Sequence, residues 1–116
     1  MKVLLVNSSS HQNGCTYTAL SEAARALQEC GVQTELIWLG NDALRDCVAC
    51  GHCRKAGRCV FDDLVNSFVD KAREADGFVF GSPVYYAHPT GRLLSFMDRA
   101  FYSGASAFKF KPAAAV

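Results

Sequence analysis

Charge of either sign is what this chain has little of in excess: 12 Lys and Arg stand against 11 Asp and Glu in 116 residues, a net of +1. Without a basic stripe it has no electrostatic footprint for a phosphate backbone, so nucleic acid is not an expected partner. Long hydrophobic runs are missing too. The opening MKVLLVNSSS turns polar after a few residues and matches neither a membrane span nor a secretory signal with its small-residue cleavage site. A cytoplasmic protein without a membrane partner is the expectation. Neither G-x-G-x-x-G nor the P-loop Gly-Lys-Ser/Thr occurs, which removes a dinucleotide fingerprint and a nucleoside-triphosphate cradle. Internal repeats and low-complexity segments are absent, so a solenoid or a linker has no support. His11, His52 and His88 share no metal-ligand spacing, and no histidine is assigned to catalysis.

What is present alternates. Val3 to Val6 form an apolar run of the kind a strand buried on both faces requires, followed by the polar NSSSHQNG. From Thr16, Leu20, Ala23, Ala24 and Leu27 recur at helical spacing, and Gly31 stands where a left-handed residue ends a helix. TELIWL (34–39) predicts a second strand. A helix follows with Asp62 or Asp63 near its cap and Leu64, Phe68 and Ala72 on one face. DGFVFGSPVYY predicts a third buried strand running into a Gly-Ser-Pro turn, Leu94, Met97 and Phe101 line a further helix, and KPAAAV begins a fourth strand. Strand-helix alternation predicts an α/β fold: a flavodoxin-like, doubly wound parallel sheet between two helical layers. Three βα pairs do not cover both faces of a five-stranded sheet, so residues 1–116 are expected to be the N-terminal portion of one such domain.

Two loops are predicted to share a crevice. NSSSHQNGCT (7–16) lies between the first strand and first helix, where helix amides and the hydroxyls of Ser8, Ser9, Ser10 and Thr16 suit a monophosphate held without metal. The alternative is a Ser/Asn turn that merely caps a helix. In the strand order 2-1-3-4-5 the first and third strands are neighbours, so GSPVYY (81–86) faces the serine loop. Pro83 stiffens that turn, and Tyr85 and Tyr86 offer aromatic surface to a planar ring or to ordinary packing.

Against this regular background CVACGHCRKAGRC (47–59) places four of six cysteines in one loop. In a reducing compartment such a group suits metal or redox chemistry better than structural disulfides. Cys47, Cys50, Cys53 and Cys59 have the spacing C-x2-C-x2-C-x5-C, whose compact triplet fits a [4Fe-4S] cluster; zinc and metal-free thiols stand as alternatives. The loop differs from the ferredoxin run in the position of its fourth cysteine and in Val60, which follows where that run has Pro. Arg54, Lys55 and Arg58 would offset the negative charge of a cluster. Cys30 is expected to pack, and Cys15 lies at a helix start, where a thiol gains reactivity if exposed.

Taken together, KVLLVNSSSHQNGCT resembles the flavin-phosphate loop of NADPH-dependent FMN reductases, and DGFVFGSPVYY resembles their isoalloxazine-side loop. With CVACGHCRKAGRCVFDD between them, the chain is similar to the iron-sulfur flavoprotein branch of that family. The resemblance implies an FMN-binding domain assembled as a homodimer or homotetramer, with a [4Fe-4S] cluster on the four cysteines. It places Ser9, His11, Asn13, Cys15 and Thr16 at the phosphate and Pro83, Val84, Tyr85 and Tyr86 beside the flavin ring. His11 stands where family members often carry Arg, and Cys15 where they carry Asn or Ser. The expected activity is an FMN-dependent oxidoreductase passing electrons between flavin and cluster to a small-molecule or protein redox partner, with no catalytic side chain. The alternatives are an NAD(P)H-dependent FMN or quinone reductase without a cluster, and a zinc-stabilised binding module.

Overall fold

Strand side chains point alternately to opposite faces, and here both sets are apolar, so each central strand needs a helical layer on either side. In the computed structural model, which describes residues 1–116, Lys2–Asn7 form β1 and Gly77–Gly81 form β3. Leu4, Val6, Phe78 and Phe80 enter one buried cluster, while Leu5 and Val79 enter another on the opposite face. Gln33–Trp38 (β2) and Ala113–Ala115 (β6) flank this pair, giving the parallel order β2-β1-β3-β6. The register sets Asn7 opposite Trp38 on one side and opposite Gly81 on the other.

The helix Cys15–Glu29 (α1) covers one face, with Leu20 as its buried anchor between Leu5 and Val79. Leu64–Glu74 (α3) and Gly91–Phe108 (α4) cover the other, where Phe68 meets Phe96 edge-on at 4.8 Å between ring centroids. The fold is the expected three-layer α/β/α, flavodoxin-like arrangement with a parallel doubly wound sheet. Asp63 caps α3, its carboxylate accepting from the Val65 amide at 3.0 Å. On α4 the buried stripe is Leu93, Phe96, Ala100 and Ala107, while Leu94 and Phe101 are partly exposed, to 44% and 37%. Of the expected stripe, Met97 packs against the core cluster and Phe101 meets Phe80 and Phe108 edge-on, whereas Leu94 is exposed and Leu93, whose amide Thr90 holds, takes its place in the core.

Two small elements lie outside the expectation. His52–Ala56 form a five-residue helix, α2, bounded by left-handed Gly51 and Gly57. Val84–Tyr85 (β4) and His88–Pro89 (β5) pair antiparallel across a two-residue turn, in which Tyr86 and Ala87 have φ of 49° and 66°. Asn-Gly usually occupies such a turn; two side-chain-bearing residues there cost about 1 kcal/mol each. No helix is long and apolar enough to cross a membrane.

Candidate functional site

Where β1 ends, its neighbours diverge: the chain leaves Asn7 between β2 and β3, and the loops after β1 and β3 emerge side by side. An open parallel sheet offers its ligand crevice at such a switch point. The serine loop is built by a residue that sequence reasoning passed over. Asn7 is fully buried; its carboxamide donates to the Gln12 carbonyl at 3.0 Å and accepts from the Ser9 amide at 3.0 Å. Ser9 Oγ accepts from the His11 amide at 3.1 Å, and Trp38 Nε1 donates to the Ser9 carbonyl at 2.8 Å. Asn41 Nδ2 holds the Ser10 carbonyl at 3.0 Å, and the Gly14 amide holds that of His11 at 3.2 Å. With four successive carbonyls tied back to the protein and the amides of Ser8, Ser9, His11 and Gly14 bonded within the fold, the amides of Ser10, Gln12 and Asn13 and the Ser10 hydroxyl are what the loop can offer a ligand.

The helix that follows is left open in the same sense. Gly14 is the N-cap of α1 and provides no side-chain acceptor, and no acidic residue stands in the first turn. Its first amides and the positive end of its dipole are thus available to an anion. His11, Asn13 and Cys15 are exposed here, Thr16 is half-buried and Ser9 is buried. All five residues expected at a phosphate therefore lie in or directly after one loop, although Ser9 spends its hydroxyl on the loop's own turn.

A buried chain of hydroxyls joins this loop to the next. Ser8 Oγ donates to the Gly81 carbonyl at 2.9 Å, and Thr90 Oγ1 donates to Ser8 Oγ at 3.1 Å while accepting from the Leu93 amide at 3.2 Å. Ser82 Oγ accepts from the Thr90 amide at 2.9 Å. Gly81 is required here by close approach: a Cβ would stand 2.6 Å from Leu20 Cδ1 and 2.9 Å from Thr16 Cγ2. Above this floor the β4–β5 ribbon projects outward, with Pro83 half-buried and Val84, Tyr85 and Tyr86 exposed, Tyr86 to 98%. Thr90, Ser82 and Asn7 carried no sequence signal beyond their polarity; their roles depend on partners up to 82 residues away.

The cysteine loop follows a different plan. Arg99, on α4, is buried, and its guanidinium grips both Asp63 oxygens at 2.7 and 2.8 Å, the Phe61 carbonyl at 3.1 Å and the Arg45 carbonyl at 3.3 Å. Its Nε also donates to Cys59 Sγ at 3.3 Å. Burial acts to lower the Arg99 pKa, but the bonds to Asp63 and Cys59 outweigh it and hold the guanidinium above its ordinary value. Asn66 completes the clamp, accepting from the Cys59 amide at 2.9 Å and donating to the Cys59 and Phe61 carbonyls. It also donates to Asp62, which that bond and Arg58 hold below its usual pKa.

This arrangement corrects the metal assignment. Cys47, Cys50, Cys53 and Cys59 line one cavity of about 530 Å³, but no three His, Cys, Asp or Glu side chains anywhere in the chain are placed to hold one metal ion. The reason lies in the path of the backbone: left-handed Ala49, Gly51 and Gly57 break the loop around α2, and the sulfur of Cys59 is turned to Arg99. The cysteines thus stand around the cavity wall without converging on one point. Cluster irons and zinc both need convergent thiolates, so the residues do not fit a [4Fe-4S] cluster or a zinc ion. The electron-transfer iron-sulfur reading, its cluster cofactor and its ligand set are overturned, and the zinc-braced module falls by the same finding.

The family model for NADPH-dependent FMN reductase matches residues 1–116. The chain belongs to that family. Within it, the chain is 37% identical over 100 residues to an iron-sulfur flavoprotein of Methanocaldococcus jannaschii, covering 86% of this chain and 52% of that protein. It thus spans about half the length of the curated relatives it matches. Among solved structures, a flavone reductase superposes with a TM-score of 0.67 at 27% identity, over 85% of this chain and 29% of that one. An NADH:FMN oxidoreductase superposes with a TM-score of 0.61 at 25% identity, over 97% of this chain and 55% of that one.

Proposed function

We propose that residues 1–116 are the N-terminal portion of a flavin-dependent oxidoreductase domain. In this reading FMN is held in the β1/β3 crevice, NAD(P)H is the electron donor and a small acceptor such as a free flavin or quinone is reduced. The observation that carries it is the serine loop with its carbonyls tied back, leading into a helix whose N-cap lacks a side chain of its own. That donor set suits the phosphate of FMN: neutral hydroxyls and amides at a helix N-terminus, with no acidic group in the first turn.

When bound, FMN would supply hydride acceptance and onward electron transfer. The chain's own residues then have three tasks. The serine loop, Thr16 and the first turn of α1 bind the phosphate. Ser8, Ser82 and Thr90 keep the loops after β1 and β3 at a constant separation, so a ring bound to one is oriented by the other. Pro83, Val84, Tyr85 and Tyr86 cover the ring and exclude water. No side-chain acid or base takes part.

Titration of the intact protein with FMN, followed by quenching of flavin fluorescence, tests the binding. NAD(P)H oxidation in the presence of a quinone tests the reaction. Failure to bind FMN would sink the reading; binding without turnover would leave a flavin carrier. Assembly as a homodimer or homotetramer is supported by the apolar surface exposed on the ribbon and α4, Val84, Leu94 and Tyr102 among it, and is tested by sedimentation.

A further inference from the structure

The four carbonyls that the serine loop turns inward are not held equally firmly. Asn7, Trp38 and Gly14 hold those of Gln12, Ser9 and His11, and these three stand on β1, on β2 and at the start of α1. Asn41, which holds the Ser10 carbonyl at 3.0 Å, belongs to no helix or strand and is exposed. One hydrogen bond gives an exposed carboxamide little against the rotamer freedom it loses, so a second contact has to fix it.

Arg92 makes that contact. It stands in the first turn of α4, two residues after buried Thr90, whose hydroxyl is bonded to both Ser8 and the Leu93 amide. From this rigid start Nη2 donates to the Asn41 carbonyl at 3.2 Å, and Nη1 reaches Asn41 Oδ1 at 3.5 Å. The side chain is half-buried and forms no ion pair with a carboxylate. Its planar fork therefore spans the backbone and the side chain of Asn41 together, and its charge strengthens both contacts. Donation to Oδ1 also polarises the carboxamide, which makes Nδ2 a better donor toward Ser10.

The peptide group held in this way joins Ser10 to His11. Because a peptide group is planar, fixing its carbonyl fixes how the chain enters and leaves it. The Ser10 amide and hydroxyl lie just before it and the Gln12 amide just after, and these are among the donors left for a ligand. We infer that Arg92 is a positioning residue for the flavin phosphate: through Asn41 it aims the Ser10 and Gln12 donors, and so sets a preference for a phosphorylated flavin over an unphosphorylated one. It also brings positive charge to a loop that contains neither Lys nor Arg. The inference rests on the flavin reading of the crevice.

The test compares FMN with riboflavin, which has the same ring and no phosphate, on the full chain and on Arg92→Gln, Arg92→Lys, Asn41→Ala and the Arg92→Gln/Asn41→Ala double variant. Arg92→Gln should raise the Kd for FMN about fivefold and leave that for riboflavin unchanged. Arg92→Lys should recover only part of the loss, since a point-like ammonium does not match two acceptors in the plane of a fork. Asn41→Ala should match Arg92→Gln, and the double variant should lose no more than either single, as members of one relay do. Without flavin, the single tryptophan reports the same change: Trp38 donates to the neighbouring Ser9 carbonyl, so acrylamide should quench its emission more readily in each single variant. Unchanged FMN affinity, equal losses for riboflavin, additive losses in the double variant, full recovery with Lys, or a drop in melting temperature that accounts for the FMN loss would each overturn the inference. Failure of the parent chain to bind FMN sinks the flavin reading and this inference with it; unchanged quenching in variants of a parent that does bind sinks the inference alone.

Discussion

The serine loop and the cysteine loop both concentrate ligand-type residues, and the structure treats them in opposite ways. In the first, the donors that matter belong largely to the backbone, and β1, β3 and the start of α1 dictate where that backbone goes. In the second, the donors are side-chain sulfurs on an excursion outside the sheet, and their directions follow from α2, Arg99 and Asn66. Density of ligands in a sequence therefore predicts a site when the fold aims them, and fails to when a loop of irregular path does. The helix starts make the same contrast: Asp63 and Thr90 cap α3 and α4 from within, whereas Gly14 leaves α1 open.

The comparison breaks most readily at Arg99. Arg99→Ala leaves Asp63 without its buried partner and releases the cysteine loop from α4; unfolding by denaturant should show a loss of about 3 kcal/mol, and FMN affinity per folded molecule should hold. Gly81→Ala attacks the other region, driving a methyl into Leu20 and Thr16; a loss of about 2 kcal/mol with weakened FMN binding is expected. Preservation of affinity in that variant would detach α1's first turn from the phosphate.

Gly14→Asp would convert α1 into a capped helix like α3. Its extended φ of −85° accepts any residue, and the Cβ meets only His11, its Cβ at 3.2 Å and its carbonyl oxygen at 3.5 Å. Thermal stability should hold or rise slightly while the Kd for FMN rises about tenfold, equivalent to about 1.4 kcal/mol, because the carboxylate takes the amides and repels the phosphate. Thr90→Val removes the cap of α4 and its bond to Ser8, for a loss of about 1 kcal/mol in chemical denaturation that Thr90→Ser should largely restore.

The smallest effect is electrostatic and lies away from both loops. Glu35 is held below its ordinary pKa by its hydrogen bonds to Lys2 and to Lys71. A depressed carboxylate stabilises the fold fully above its unfolded pKa, and that contribution disappears as pH falls through the lowered folded value. Partial exposure limits it to about 0.5 kcal/mol. Denaturation midpoints measured at neutral pH and in acid should therefore converge slightly more in Glu35→Gln than in the parent chain.

Much of this molecule was legible in its sequence. Val3–Val6 and Phe78–Phe80 are apolar without interruption, so their burial between two helical layers follows from composition and from right-handed parallel crossovers. The serine loop's position at a strand end followed from the same reasoning. Less legible were Asn7, Ser82 and Thr90, whose functions arise from hydrogen bonds to distant or unexpected partners, and the phase of α4, which its cap and the phenylalanine cluster set.

By itself the sequence determined the alternation of strands and helices, the neighbouring of β1 and β3, and the presence of thiols between them, because periodicity and local spacing are properties of the chain. Only the tertiary structure decided that the sulfurs ring a cavity without meeting, that Arg99 takes one of them, and that α1 is left open to an anion. Those outcomes depend on the direction of side chains and backbone amides in space, and direction is set by packing between segments that the linear order keeps apart.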